Sequence, residues 1–260
     1  MLPRPKKRFG QHFLTDRHYL GRIVAAIAPQ PGDTIVEIGP GTGLLTDQLL
    51  ARIPHLHVVE IDRELAAALR ARWPADRLTV HEGDALEFDF STLPSPLRVV
   101  GNLPYNVSSP ILFHVAQAAD RIVDCVFMLQ KEVVDRMVAD PGTEDYGRLS
   151  AMLQYRFAMG KVLDVPPGAF TPPPKVDSAV VLMKPLPESR PRAKDDRAYE
   201  RVVAAAFSQR RKTLRNAVRS LVDAEGFTRA GIDPVRRGET LSVEEFIRLS
   251  DVSRSDSSLQ

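Results

Sequence analysis

The chain predicts a doubly wound α/β sheet followed by a small all-helical domain, and three observations predict it. The stretch Thr34-Ile35-Val36-Glu37-Ile38-Gly39-Pro40-Gly41-Thr42-Gly43 reads as strand, glycine turn and helix start, the opening unit of nucleotide-binding α/β sheets. Segments rich in β-formers then alternate with helix-permissive ones up to about residue 183, as in a mostly parallel sheet. Beyond Lys184 the pattern is helical only.

In chain order, residues 1–10 are Pro-rich and basic, with Arg4, Lys6, Lys7 and Arg8 clustered, and read as a flexible arm. Such a cluster either grips phosphates or stays solvated. A helix is expected after Thr15 or Asp16, with Leu20, Ile23, Val24 and Ile27 as its apolar face and Pro29 and Pro31 at its end. Strands are expected over 34–38, 55–61, 78–81, 97–101 and 123–129, and helices over 43–53, 62–72, 110–118 and 131–139. A further helix starts near Tyr146. Segments 160–165 and 176–183 flank the proline-dense loop 166–174 and read as an antiparallel pair at the sheet edge. Pro185, Pro187 and Pro191 mark a linker. Helices then fall over 199–207, 211–221, 227–230 and 243–249, the last opened by a Ser242/Glu245 capping box. The tail from Ser253 is Ser/Asp-rich and reads as disordered. The expected domains are 1–184 and 192–252.

At 260 residues the chain suffices for one large domain and a satellite. One cysteine, Cys125, excludes an internal disulfide framework and a cysteine-rich zinc site. The six histidines lack metal-site spacing, so no metal is expected. No apolar run approaches the roughly 20 residues that span a bilayer, and no signal-peptide core follows the basic N-terminus. A soluble, cytoplasmic monomer is expected. A net charge of +2 says little about partners, so the distribution of charge matters more.

The glycine run is not a dinucleotide fingerprint, because Gly43 follows Gly41 by two residues and not three. It is not a phosphate-binding P-loop either, since no lysine follows Gly43. Its E-x-G-x-G-x-G form resembles motif I of the S-adenosylmethionine (SAM) methyltransferases; the alternative is a tight strand-to-helix turn. Glu60 closes the second strand about 20 residues beyond Gly39, where such folds place an acid for ribose hydroxyls. Asp84 follows the third strand and can accept from an adenine amino group. Each acid taken alone is equally well a helix cap.

Asn102-Leu103-Pro104-Tyr105 directly follows the fourth strand. It matches the [DNS]-[PIL]-P-[YF] signature of methyltransferases acting on exocyclic or amide-like nitrogens. The adenine N6 lone pair is delocalised into the ring and attacks a methyl group poorly. An Asn102 side-chain oxygen and the carbonyl of Leu103 or Pro104 can accept the N6–H bonds and turn the lone pair outwards. Proline fixes φ there and donates no competing N–H, and Tyr105 offers a ring for a flipped base. Phe170, at the base of the stiff Pro172-Pro173-Pro174 loop, either stacks the other face of that base or belongs to the core. Arg210, Arg211, Lys212 and Arg215 form a second basic region with no acid between Arg201 and Asp223, read as a footprint on RNA phosphates or as a solvated helix face.

Together these motifs resemble the small-subunit ribosomal RNA adenine N6-dimethyltransferase family (KsgA), from about Phe9 to Leu249. Gly10-Gln11-His12-Phe13-Leu14, the Glu37–Gly43 run and Asn102-Leu103-Pro104-Tyr105-Asn106 carry the likeness. So do Met128–Glu132, Tyr146–Leu149, Phe170–Ser178 and Phe207–Leu214. The resemblance implies a class I, Rossmann-like SAM-dependent methyltransferase sheet. It also implies two methyl transfers to each of two adjacent adenosines near the 3′ end of small-subunit rRNA, in an assembling 30S particle. SAM would be held by Gln11, His12, Leu14, Gly39, Gly41, Glu60, Ile61, Asp84, Ala85 and Asn102. The base would be held by Asn102, Leu103, Pro104, Tyr105 and Phe170. His12 departs from the asparagine that many members carry, which puts that one contact in doubt.

Three rivals share parts of this pattern. A large-subunit rRNA adenine methyltransferase conferring macrolide resistance has the same cofactor and base motifs; Met128–Glu132, Phe170–Ser178 and the 210–212 run favour the small-subunit class. A non-catalytic assembly factor on the same fold has no need of Glu60, Asp84 and the Asn102–Tyr105 turn. A DNA adenine methyltransferase would more often carry Asp at position 102.

Overall fold

The computed structural model describes residues 11–209 and 212–254. The expectations for the basic arm, for Arg210 and Arg211 and for the end of the tail fall outside these residues. The chain forms two compact units: the described residues up to Val134 with Ala158–Pro185, and Asp135–Phe157 with the described residues from Leu186 onward.

The first unit begins with a short strand β1 (Phe13–Leu14) and helix α1 (Arg17–Ile27). Asp16 caps α1, accepting from the N–H groups of His18 and Tyr19. Leu20, Ile23, Val24 and Ile27 recur at helical spacing and are buried. Then β and α alternate: β2 (Thr34–Ile38), α2 (Leu44–Leu50), β3 (Leu56–Glu60), α3 (Arg63–Arg72), β4 (Leu78–Glu82), β5 (Leu97–Asn102), α4 (Ser108–Gln117), β6 (Ile122–Gln130) and α5 (Lys131–Met137). After α6 (Arg148–Gln154) come β7 (Phe157–Val165), β8 (Phe170–Thr171) and β9 (Ser178–Pro185).

Seven strands form one sheet in the order β4-β3-β2-β5-β6-β9-β7. The pairs from β4 through β6 are parallel, while β9 runs antiparallel to β6. Ile35, Val36, Val99, Val100 and Cys125 are fully buried, as in strands covered on both faces. The order of connection reverses between β2 and β5, so a crevice opens at their carboxyl ends. Gly101 allows the two strands to meet there: a Cβ would lie 2.3 Å from the Ile38 carbonyl oxygen. Sequence reading missed the second sheet, in which β1 pairs antiparallel with β8. Two-residue strands are too short to show a period.

The second unit holds α6, α7 (Asp196–Ser208), α8 (Leu214–Ala217), α9 (Ala224–Ala230) and α10 (Val243–Asp251) around Tyr146, Tyr199, Val203, Phe227 and Phe246. The expected boundary near Lys184 coincides with the break after Pro185, but the expected extent 1–184 of the first domain differs, because 135–157 belongs here. Tyr155 of this segment stacks on Tyr199 at 4.0 Å, and the Tyr199 hydroxyl donates to the Ala151 carbonyl at 2.9 Å. The helix expected over 211–221 is reduced to α8. The N–H groups of Leu214 and Arg215 donate to the carbonyls of Arg236 and Pro234, so tertiary bonds replace helical ones. The capping box is present: Ser242 Oγ accepts from the Glu245 N–H, and a Glu245 carboxylate oxygen accepts from the Ser242 N–H. No described helix is long and apolar enough to cross a membrane.

Candidate active site

A cavity of about 260 Å³ lies at the carboxyl ends of β2, β3 and β5. Its wall carries three acids, Glu37, Glu60 and Asp84, and its described lining includes no Lys or Arg. Such a wall repels phosphate and suits a cation, which fits a sulfonium nucleoside and not a dinucleotide.

Glu60 ends β3 and is 4 % exposed. One oxygen accepts from the Gly41 N–H at 3.1 Å and the other from the Asp62 N–H at 2.9 Å. The carboxylate thus ties the glycine loop to the start of α3, and each oxygen keeps a further lone pair for a hydroxyl. Burial pushes its pKa up, against the pull of those N–H bonds. Asp84 caps its own turn through the Leu86 N–H at 2.9 Å while lining the cavity. Its place as a cap and its place at the cavity wall are therefore compatible. Ile61, an exposed apolar side chain, and Ala85 add flat apolar surface beside these acids.

The β1–β8 pairing brings Gln11, His12 and Leu14 to the cavity wall. Gly41 adopts φ +57°, and a Cβ there would lie 2.8 Å from the Phe13 ring. Glycine is therefore needed at Gly41 both for its conformation and for this close packing.

On β5, the Asn102 Nδ2 donates to the His12 carbonyl at 2.9 Å. A carbonyl only accepts, so the amide nitrogen must face it, which leaves Oδ1 as the acceptor on the other side. The Pro104 carbonyl already accepts the Val107 N–H, so of the two carbonyls in question that of Leu103 is the better placed to accept from a ligand. The Tyr105 hydroxyl bonds Ser178 Oγ at 2.5 Å, and its ring stacks on His12 with centroids 5.7 Å apart. Burial raises the Tyr105 pKa, against the Ser178 bond.

Two groups of expected residues stand apart. Phe170 is buried in the core with Leu14, Leu20 and Ile23 and is not part of the cavity lining. Its pairing opposite Leu14 directs it there, so of the two readings of Phe170 this arrangement favours the core. Of the basic residues, Lys212 and Arg215 are exposed on the second unit, and the others lie outside the described residues. Sequence reasoning missed Ser178 as the partner of Tyr105, and it missed Glu37 as a group of the cavity. Glu37 sits inside a run of β-formers, and only its place at the head of the glycine motif singled it out.

A doubly wound sheet with this cavity and this Asn-Leu-Pro-Tyr turn at its switch point is a Rossmann-like methyltransferase of class I. Within that class the family model described as Ribosomal RNA adenine dimethylase matches residues 3–254, and the chain belongs to that family. It is 61% identical to the Ribosomal RNA small subunit methyltransferase A of Aromatoleum aromaticum, over 95% of this chain and 94% of that protein. It is 60% identical to the protein of the same name from Laribacter hongkongensis, over 95% of each. Among solved structures, a dimethyladenosine transferase from Plasmodium falciparum aligns with a TM-score of 0.79 at 26% identity, covering 92% of this chain and 96% of that one. The 23S rRNA methyltransferase ErmE aligns with a TM-score of 0.71, also at 26% identity, covering 92% and 98%.

Proposed function

We propose that the protein uses SAM to dimethylate N6 of two adjacent adenosines near the 3′ end of small-subunit rRNA, on the assembling small subunit in the cytoplasm. The meeting of an acid-lined cavity with an oriented Asn102 carries this reading. The bound cofactor would supply a methyl group on a positively charged sulfur. Glu60 would accept from its ribose hydroxyls and Asp84 from its adenine amino group, with Ile61 and Ala85 against the adenine. Gln11, His12, Leu14, Gly39 and Gly41 would close the rest of the pocket.

Asn102 Oδ1 and the Leu103 carbonyl would accept the two N6–H bonds of a base turned out of its strand and stacked on Tyr105. Two fixed acceptors hold the nitrogen lone pair towards the methyl group, so catalysis rests on positioning and needs no strong base. The Tyr105–Ser178 bond holds the ring for this stack. Lys212 and Arg215, with the basic residues around them, would contact RNA phosphates.

Identity to solved structures does not separate small-subunit from large-subunit specificity, since the dimethyladenosine transferase and the 23S rRNA methyltransferase each share 26% identity with the chain. The identities near 60% to proteins named for the small subunit favour the first. The test is transfer of labelled methyl to small subunits lacking the modification, to naked small-subunit rRNA and to naked large-subunit rRNA. Dimethyladenosine is expected on the subunits. Label in large-subunit RNA would move the protein to the other specificity, and no label with binding intact would leave an assembly factor.

A further inference from the structure

The cavity wall holds one titratable group that the positioning described above does not use. Glu37, near the end of β2, is 2 % exposed. Thr46 Oγ1 of α2 donates to its Oε2 at 2.6 Å, and no described residue is recorded as donating to Oε1. The charges that face it are negative, Glu60 from β3 and Asp47 from α2. On the other side β5 presents Val100, paired with Glu37 in the sheet, and no charge. Burial first, then those neighbours, pushes its pKa up to about 8, although the Thr46 bond lowers it.

We propose that Glu37 senses charge in the pocket: it is protonated while only acids face it, and it releases the proton to solvent when a cationic ligand enters. This rests on the reading that the cavity takes SAM. Two buried carboxylates on one wall disfavour each other's ionisation, and a positive charge between them reverses that preference. SAM carries one positive charge more than its thioether product. Proton release should therefore accompany binding of the cofactor and be much smaller for the product. Because exchange of product for fresh cofactor, a step that repeated methylation requires, then releases that proton, the exchange becomes more favourable as pH rises and levels off near pH 8.

Titration calorimetry of the full chain near pH 7, in buffers of different ionisation enthalpy, tests this. SAM is expected to release close to one proton per site and S-adenosylhomocysteine markedly less, and Glu37→Gln should remove the difference. In the unmodified protein the affinity ratio of cofactor to product should rise by at most about tenfold per pH unit and level off near pH 8. A buffer-independent enthalpy for SAM, or release unchanged in Glu37→Gln, overturns the inference. If that variant does not fold, a flat affinity ratio across the same range in the unmodified protein overturns it instead. No SAM binding at all is a separate result and overturns the proposed function with it.

Discussion

The two ends of the central strands treat buried charge in opposite ways. At the amino end of β5, Arg98 is 12% exposed and bonds Asp33 at 2.6 Å and Asp124 at 2.8 Å. It also donates to the carbonyls of Ile27 and Ala28 at the end of α1. Four residues further along the same strand, Asn102 faces a cavity whose three acids have no Lys or Arg among the described lining residues. A charge that serves the fold is neutralised inside the fold. The acids at the cavity have only backbone N–H groups and a hydroxyl as partners, so no cation balances them until a ligand brings one.

The largest effect should come from breaking the neutralised end. Arg98→Met leaves Asp33 and Asp124 without their cation and should cost about 3–5 kcal/mol of stability, read by urea unfolding, as is typical when a buried pair loses one partner. If the comparison holds, SAM affinity of the folded fraction stays unchanged. Asn102→Ala should do the reverse. Methyl transfer should fall about 10²–10³-fold, as for loss of one preorganised hydrogen-bonding group, while Tm and SAM binding persist. Near-normal turnover in Asn102→Ala would refute the proposed positioning of N6.

Glu60→Gln keeps an acceptor for the Gly41 N–H but removes the charge. Calorimetry should show SAM binding weakened about 10- to 100-fold, the range of a hydrogen bond to a charged group, and the buried Asp62 N–H, left facing the new amide NH2, should cost about 1–3 kcal/mol of stability.

The smallest effect concerns pH. On β3 and β4, His57 lies 3.3 Å from His81 through ring nitrogens and also touches His55. Burial, then His55 and His81, lowers its pKa to about 4 from 6.5. The unfolded chain therefore binds more protons in that window, and this contribution to stability is lost as pH falls from about 6.5 to about 4. Glu37 acts with the opposite sign, because its raised pKa makes its contribution decline as pH rises towards 8. His57→Asn should flatten the fall of Tm on the acid side by a few degrees and leave the alkaline side unchanged.

Much of the first unit was legible because its strands are short runs of β-formers closed by glycine or polar residues, as in Thr34–Ile38 and Leu97–Asn102, even with Glu37 and Arg98 inside them. Glu60, Asp84 and Asn102 were legible because chain order alone puts them at strand ends. Phe170 was not, since an aromatic beside prolines suits a loop or a core equally well, and its pairing opposite Leu14 favours the core. The helix over 211–221 failed for a related reason: the residues permit it, but the N–H groups of Leu214 and Arg215, which a helix begun at 211 would turn back on its own first turn, donate instead to Arg236 and Pro234.

The sequence by itself determined the α/β order, the glycine turn and the family to which the chain belongs, because periodicity and motif spacing are local properties. Only the tertiary structure decided that Glu37 faces the cavity, that the His12 carbonyl orients Asn102, and that residues 135–157 join the helical unit. Each of these depends on groups brought together from distant parts of the chain, and on the burial that gives a charge or a hydrogen bond its energy.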